Sequence, residues 1–132
     1  MPIENQASPP GLWAGGIISG LVIAFLIFDG VTKVIRVAPV VEASSKLGIP
    51  PEILPTIGFT LLACTALYAT PKTAILGAIL LTAYLGGATA IHVRAAAGAF
   101  PVAFSIGFGL LTWLGLVLRE PRLIKLIVLR QW

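Results

Sequence analysis

The sequence predicts an all-α fold: a polytopic membrane four-helix bundle, with a short interfacial helix between helices 1 and 2 and an amphipathic C-terminal tail. Three observations carry this. Four apolar segments, each roughly 17 to 24 residues long, match what a helix needs to cross the ~30 Å hydrocarbon layer. The chain of 132 residues is 58% hydrophobic and only 11% charged, far below the ~25% charged residues of a soluble domain. The breaks between segments are rich in proline or charge, as helix joints are.

The spans are expected at about 12–34, 52–70, 73–94 and 99–118, which leaves no room for a second domain. Residues 1–10, with Pro2, Pro9 and Pro10, read as a polar tail. The residues before Leu12 include Glu4 and no Lys or Arg. A secretory signal needs a basic start, so the first run is read as a retained span. Within it Gly16 and Gly20 form a G-x-x-x-G pair, which predicts close approach of another helix. The span ends in a polar tip of Asp29, Thr32, Lys33 and Arg36.

The joint that follows predicts an interfacial helix over about 38–47. Pro39 suits its start, Glu42 and Lys46 lie at i,i+4, and Gly48-Ile49-Pro50-Pro51 stops it. Glu52 then sits favourably at the start of the second span. Thr70-Pro71-Lys72 is short enough to force an antiparallel hairpin. The third span carries small residues at spacing four, Ala74, Ala78, Thr82, Gly86 and Ala90, and these predict tight helix packing. His92 and Arg94 end it, and Gly98 and Pro101 mark the last turn. After Pro121 the tail at 119–132 alternates Arg122, Lys125 and Arg130 with Leu and Ile. Too short to span, it is expected in the interface, with Trp132 at headgroup level.

The net charge of +4 comes from bases at helix ends, where they contact lipid headgroups, so no nucleic-acid partner is expected. With four spans both termini share a side. Five bases (Lys72, Arg119, Arg122, Lys125, Arg130) lie on it, against four (Lys33, Arg36, Lys46, Arg94) on the other. The positive-inside rule leans towards cytoplasmic termini.

Chemistry is sparse. Cys64, the single cysteine, has no partner for a disulfide or C-x-x-C pair and reads as a packing residue. One His without a cysteine cluster gives too few ligands for a metal. No nucleophile elbow or phosphate-binding loop occurs, so no catalytic residue is assigned. The candidate polar site comprises Asp29, Lys33, Arg36, Tyr84, Thr89, His92 and Arg94, at the ends of the first and third spans. Asp29, Lys33 and Arg36 at i, i+4 and i+7 are expected on one helix face. Two readings fit them: an ion pair that terminates the helix at the interface, or a functional pocket. Gly16, Gly20, Ala78, Thr82, Gly86 and Ala90 are the packing candidates.

The sequence resembles the DoxX-like family of small bacterial four-helix membrane proteins. The resemblance rests on Phe28-Asp29-Gly30-Val31-Thr32-Lys33, Lys46-Leu47-Gly48-Ile49-Pro50, Ile57-Gly58, the hinge from Tyr68 to Lys72, and Leu85-Gly86-Gly87-Ala88-Thr89-Ala90-Ile91-His92. It implies a multi-pass protein of the bacterial inner membrane, usually without an assigned reaction. Some relatives are described as subunits of quinone-linked sulfur oxidation or partners in redox-stress complexes. Family likeness alone does not transfer function. The expected role is a non-catalytic membrane subunit or a lipophile- or quinone-binding bundle. No cofactor is required; a quinone or lipid is the ligand such a bundle would take. Beyond the bilayer, the expected partner is a redox-complex protein or a second copy. The alternative is a small proton-coupled transporter of lipophilic compounds, which would need a carboxylate deep in the first span. Asp29 is near the end instead. Any function is expected between the ends of the first and third spans.

Overall fold

A computed structural model describes residues 8–129. Arg130 and Trp132, the outer part of the expected tail, and residues 1–7 lie outside the described residues. The elements are α1 (Pro9–Val34), α2 (Ala38–Lys46), α3 (Leu54–Ala69), α4 (Ala74–Arg94) and α5 (Ala99–Arg119), with no strand among the described residues. Short 3₁₀ turns, Pro51–Ile53 and Pro71–Thr73, lead into α3 and α4. Including them, four helices are long and apolar enough to cross a membrane: Pro9–Val34, Pro51–Ala69, Pro71–Arg94 and Ala99–Arg119. At nine residues, α2 reaches only ~14 Å and cannot.

Local chemistry explains the boundaries. The Ser8 hydroxyl accepts from the Gly11 N–H at 3.1 Å, and Pro9 and Pro10 occupy the first positions, where no N–H is needed. At the far end of α1 the Val37 N–H reaches back to the Thr32 carbonyl, and Arg36 takes a left-handed φ of 55°. The chain thereby turns into α2, which Pro39 helps to start. The same closure ends α4, with Ala96 at φ 52° and Ala97 N–H on the His92 carbonyl. Both are usually glycine positions. The turn at Arg36 corrects the expected shared face: α1 ends at Val34, so Arg36 lies beyond the helix and the i, i+7 relation to Asp29 does not hold.

The four long helices form a ring. α1 packs on α3 and α5, and α4 packs on the same two. Short hairpins make sequence neighbours antiparallel, and α5 closes the ring on α1. The first and third spans, α1 and α4, therefore stand at opposite corners. One end of the ring, here the rim, gathers the C-termini of α1 and α4, all of α2, and the start of α5. The other end gathers the start of α1, the α3–α4 hinge and the exit of α5. Val22, Leu26, Leu61, Tyr68, Ala78, Leu81 and Leu116 fill the centre, joined by Leu123 from beyond α5. Leu21, Phe59 and Leu110 face outward and are about two-thirds exposed, as expected for helices that meet lipid.

Packing in lipid relies on close backbone approach, because apolar burial gives little drive there. Two glycine pairs provide it for α1. Gly15 meets Gly115 of α5, and Gly30 meets Gly58 of α3; a Cβ on Gly58 would lie 2.6 Å from the Gly30 carbonyl oxygen. Gly77 lies so close to the Tyr68 backbone that no side chain fits, which sets the α3–α4 hairpin. The predicted α1 column was one residue out of register. Gly16 and Gly20 have open space around their Cβ positions, as has Gly86, while Gly15, Ser19, Val22, Leu26 and Gly30 face inward. In α4, Ala74 and Ala78 pack as expected. Ala90 is exposed, and Thr82 serves as a hydrogen-bond acceptor for Trp113. Small residues at spacing four define a stripe, but not which side of the helix faces its neighbours.

Candidate functional site

Polar chemistry collects in two places, one at each end of the ring. At the rim, Lys33 Nζ donates to Asp29 Oδ1 at 2.6 Å, a half-buried pair one helical turn apart. The Thr32 hydroxyl donates to the Asp29 carbonyl. Thr89 turns its hydroxyl back onto the Leu85 carbonyl at 2.8 Å. This local bond leaves no hydroxyl hydrogen for a ligand. Arg36 and Arg94 are exposed.

His92 belongs to a separate feature of the rim, a cleft of about 400 Å³ between α2, the end of α4 and the start of α5. Pro39, Ala43, Leu47, Ala95 and Pro101 supply an apolar lining, and Glu42, Lys46 and His92 supply its polar groups. Of the seven residues in the predicted polar site, His92 is the one that lines this cleft; Asp29, Lys33, Arg36, Tyr84, Thr89 and Arg94 do not. The ring topology explains the separation. α1 and α4 are diagonal, and α2 and the start of α5, with the end of α4, wall the cleft.

The geometry fixes the His92 tautomer. Its Nδ1 lies 2.7 Å from the Ala88 carbonyl oxygen. A carbonyl only accepts, so Nδ1 carries a hydrogen, and in the neutral ring Nε2 keeps its lone pair as an acceptor. Glu42 and Lys46, although at i,i+4, are not joined by an ion pair among the described residues. Both line the cleft. The sequence showed Glu42 and Lys46 only as a helix-stabilising pair. Their shared stripe with Pro39, Ala43 and Leu47, at spacings of three and four on α2, was the available signal.

At the opposite end, three helices meet through a buried hydrogen-bond chain that the sequence reading missed. Tyr68 is 1% exposed and its hydroxyl donates to the Thr112 carbonyl at 2.6 Å. A phenol has one hydrogen, so Ser19 must donate to the Tyr68 oxygen across their 2.9 Å contact. Arg119 Nη2 in turn donates to Ser19 Oγ at 3.1 Å. The chain therefore runs Arg119, Ser19, Tyr68, Thr112, with both hydroxyl hydrogens used. Its signal in sequence was a serine and a tyrosine at inward positions of apolar helices, legible only once the helix faces are known. Beyond it, Arg122 donates from Nε and Nη2 to the two carboxylate oxygens of Glu120, at 2.6 and 2.8 Å. This hydrogen bonding holds the Glu120 carboxyl below its ordinary value and raises Arg122.

Among the described residues, no three His, Cys, Asp or Glu side chains converge as a metal site requires. The hydrogen-bond chain is internally satisfied and suited to fixing helix register. The cleft is different: it is open, amphipathic, and lined by one carboxylate, one ammonium and one imidazole. Such a lining can hold the head of an amphiphile while its apolar part rests on the helices.

Comparison with known proteins agrees with this architecture. Neither curated proteins nor solved structures give a significant match to the chain. The profile of the DoxX-like family matches residues 17–115, from within α1 to near the end of α5, and so takes in the whole ring. This chain is a multi-pass membrane protein that belongs to the DoxX-like family.

Proposed function

We propose that the protein is a non-catalytic membrane subunit that holds a lipophilic molecule, a lipid or a quinone, by its head in the cleft between α2, α4 and α5. The observation that carries this reading is the lining of the cleft: apolar walls with Glu42, Lys46 and His92 among them. Its position supports the reading too. α2 is too short to span and joins two spans at one end of the ring, where lipid heads are found. The bacterial inner membrane is the location suggested by the family, and the excess of bases near the tail favours cytoplasmic termini. In that orientation the cleft opens at the outer face. A redox-complex protein or a second copy is the partner class that fits a subunit without chemistry of its own. The pairing of Asp29 with Lys33 near a helix end supports this reading over proton-coupled transport, which needs a carboxylate free to gain and lose a proton deep in the bundle.

Purification in native-like lipid discs, with mass spectrometry of bound lipid, quinone and protein, tests the proposal. A lipophile retained at stoichiometric level through mild detergent exchange is the expected result. A monomer that emerges ligand-free and partnerless contradicts it.

A further inference from the structure

The charges of the cleft select among lipophiles. Resting on the reading of the cleft as a lipophile site, we infer that its occupant is a phospholipid whose head couples a phosphate to a primary ammonium, as in phosphatidylethanolamine.

The argument begins with Glu42 and Lys46. They lie about one turn apart on α2, ~6 Å along its axis, and line the same cleft without pairing to each other among the described residues. A zwitterionic head carries its phosphate and ammonium on a two-carbon bridge of similar length, so one head can meet both charges. Lys46 takes the phosphate, with the charge-assisted bonds an ammonium makes to phosphate oxygens. The lipid's ammonium faces Glu42. It also meets His92, whose Nδ1–H is committed to the Ala88 carbonyl, leaving Nε2 to accept.

Two acceptors around the cation determine the choice among heads. A primary ammonium has three N–H donors and can use both. A quaternary choline head has none, keeps only the Coulomb attraction, and is bulkier. A glycerol head can set its phosphate on Lys46 but has no cation, so it leaves the Glu42 carboxylate without a counter-charge. A quinone head offers carbonyl acceptors to a site with two acceptors and one donor, which is a poor match. Pro39, Ala43, Leu47, Ala95 and Pro101 meet the glycerol backbone and the upper acyl chains.

The test uses the full-length protein in discs containing equal parts of phosphatidylethanolamine, phosphatidylcholine and phosphatidylglycerol, with native mass spectrometry after release into mild detergent. One ethanolamine lipid is expected to remain at about fivefold excess over either competitor, the scale of a charge-assisted contact moderated by solvent. Glu42→Gln replaces a charge-assisted bond by a neutral one and leaves His92 in place, so it should narrow the excess of ethanolamine over choline lipids without abolishing it. Lys46→Gln should lower retention of all three. Both residues are exposed on α2, so the variants should keep the wild-type helical circular dichroism. Equal retention of ethanolamine and choline lipids by the wild type overturns the inference, as does preference for the glycerol head. Ala43→Trp, which sets an indole in the cleft, separates the two levels. If the wild type retains a quinone that Ala43→Trp loses, the lipophile reading stands and this inference fails. If no retained molecule responds to Ala43→Trp, both fail.

Discussion

Removal of a single oxygen, Tyr68→Phe, should measurably loosen the bundle. The Tyr68 hydroxyl lies in a space closed by three helices, donating to the Thr112 carbonyl and accepting from Ser19. Phenylalanine retains the ring and its packing but breaks both bonds. The Ser19 hydroxyl, still receiving Arg119, then loses its own acceptor. Side-chain hydrogen bonds inside membrane proteins average about 0.6 kcal/mol and reach about 1.7. Two bonds therefore predict a loss of about 1–3 kcal/mol. The assay is equilibrium unfolding by a denaturing detergent titrated into mild micelles, followed by far-UV circular dichroism. A double-mutant cycle with Ser19→Ala isolates the shared bond, for which a coupling of about 0.6–1.7 kcal/mol is expected. A Tyr68→Phe protein within ~0.3 kcal/mol of wild type, or Ser19→Ala and Tyr68→Phe effects that simply add, would refute the proposed chain of donors.

Three further predictions use the same unfolding assay. Gly115→Ala should cost about 1–3 kcal/mol, because its Cβ would meet Ser19 and the Gly15 carbonyl and force α1 from α5; Gly16→Ala, facing open space, should be neutral or slightly stabilising. Ala96→Gly should raise stability by about 0.5–1 kcal/mol by relieving the left-handed φ of 52°; a decrease would show that the turn is not strained. Because the Glu120 carboxyl is held below its ordinary value of 4.5, its pairing with Arg122 adds stability above that pH, and this is lost as pH falls through the lower folded value. The pair is exposed, so the effect is small, and Glu120→Gln should abolish that part of the acid dependence.

The lengths of the helices were readable because the bilayer imposes them. A hydrocarbon layer of ~30 Å demands long apolar runs, and Pro39, Pro51, Pro71 and Pro101 punctuate them near the observed starts. The inward face of each helix was not readable in the same way. A helix that is apolar all round has no polar side to mark its exterior, so adjacent Gly15 and Gly16 looked equivalent and the wrong one seemed to lead the packing column. Ser19 and Tyr68 are inward for the same hidden reason. Asp29 and Lys33 were correctly seen as one turn apart, but their relation to His92 depends on ring order. That order comes from the contact of α5 with α1, which no local pattern encodes. Glu42 and Lys46 were visible as a pair; that they share a cleft with His92 is a property of the assembled rim.

The most direct test compares lipophiles retained by the wild type and by Ala43→Trp, both extracted in the same native-like discs and analysed by native mass spectrometry. An indole at position 43, on the wall of the cleft of about 400 Å³, would take space that a lipid head needs and cover the side chains beside it. The account predicts a bound lipophile on the wild type that is absent from the variant, with both proteins equally helical. An identical set of bound molecules on the two proteins would contradict it.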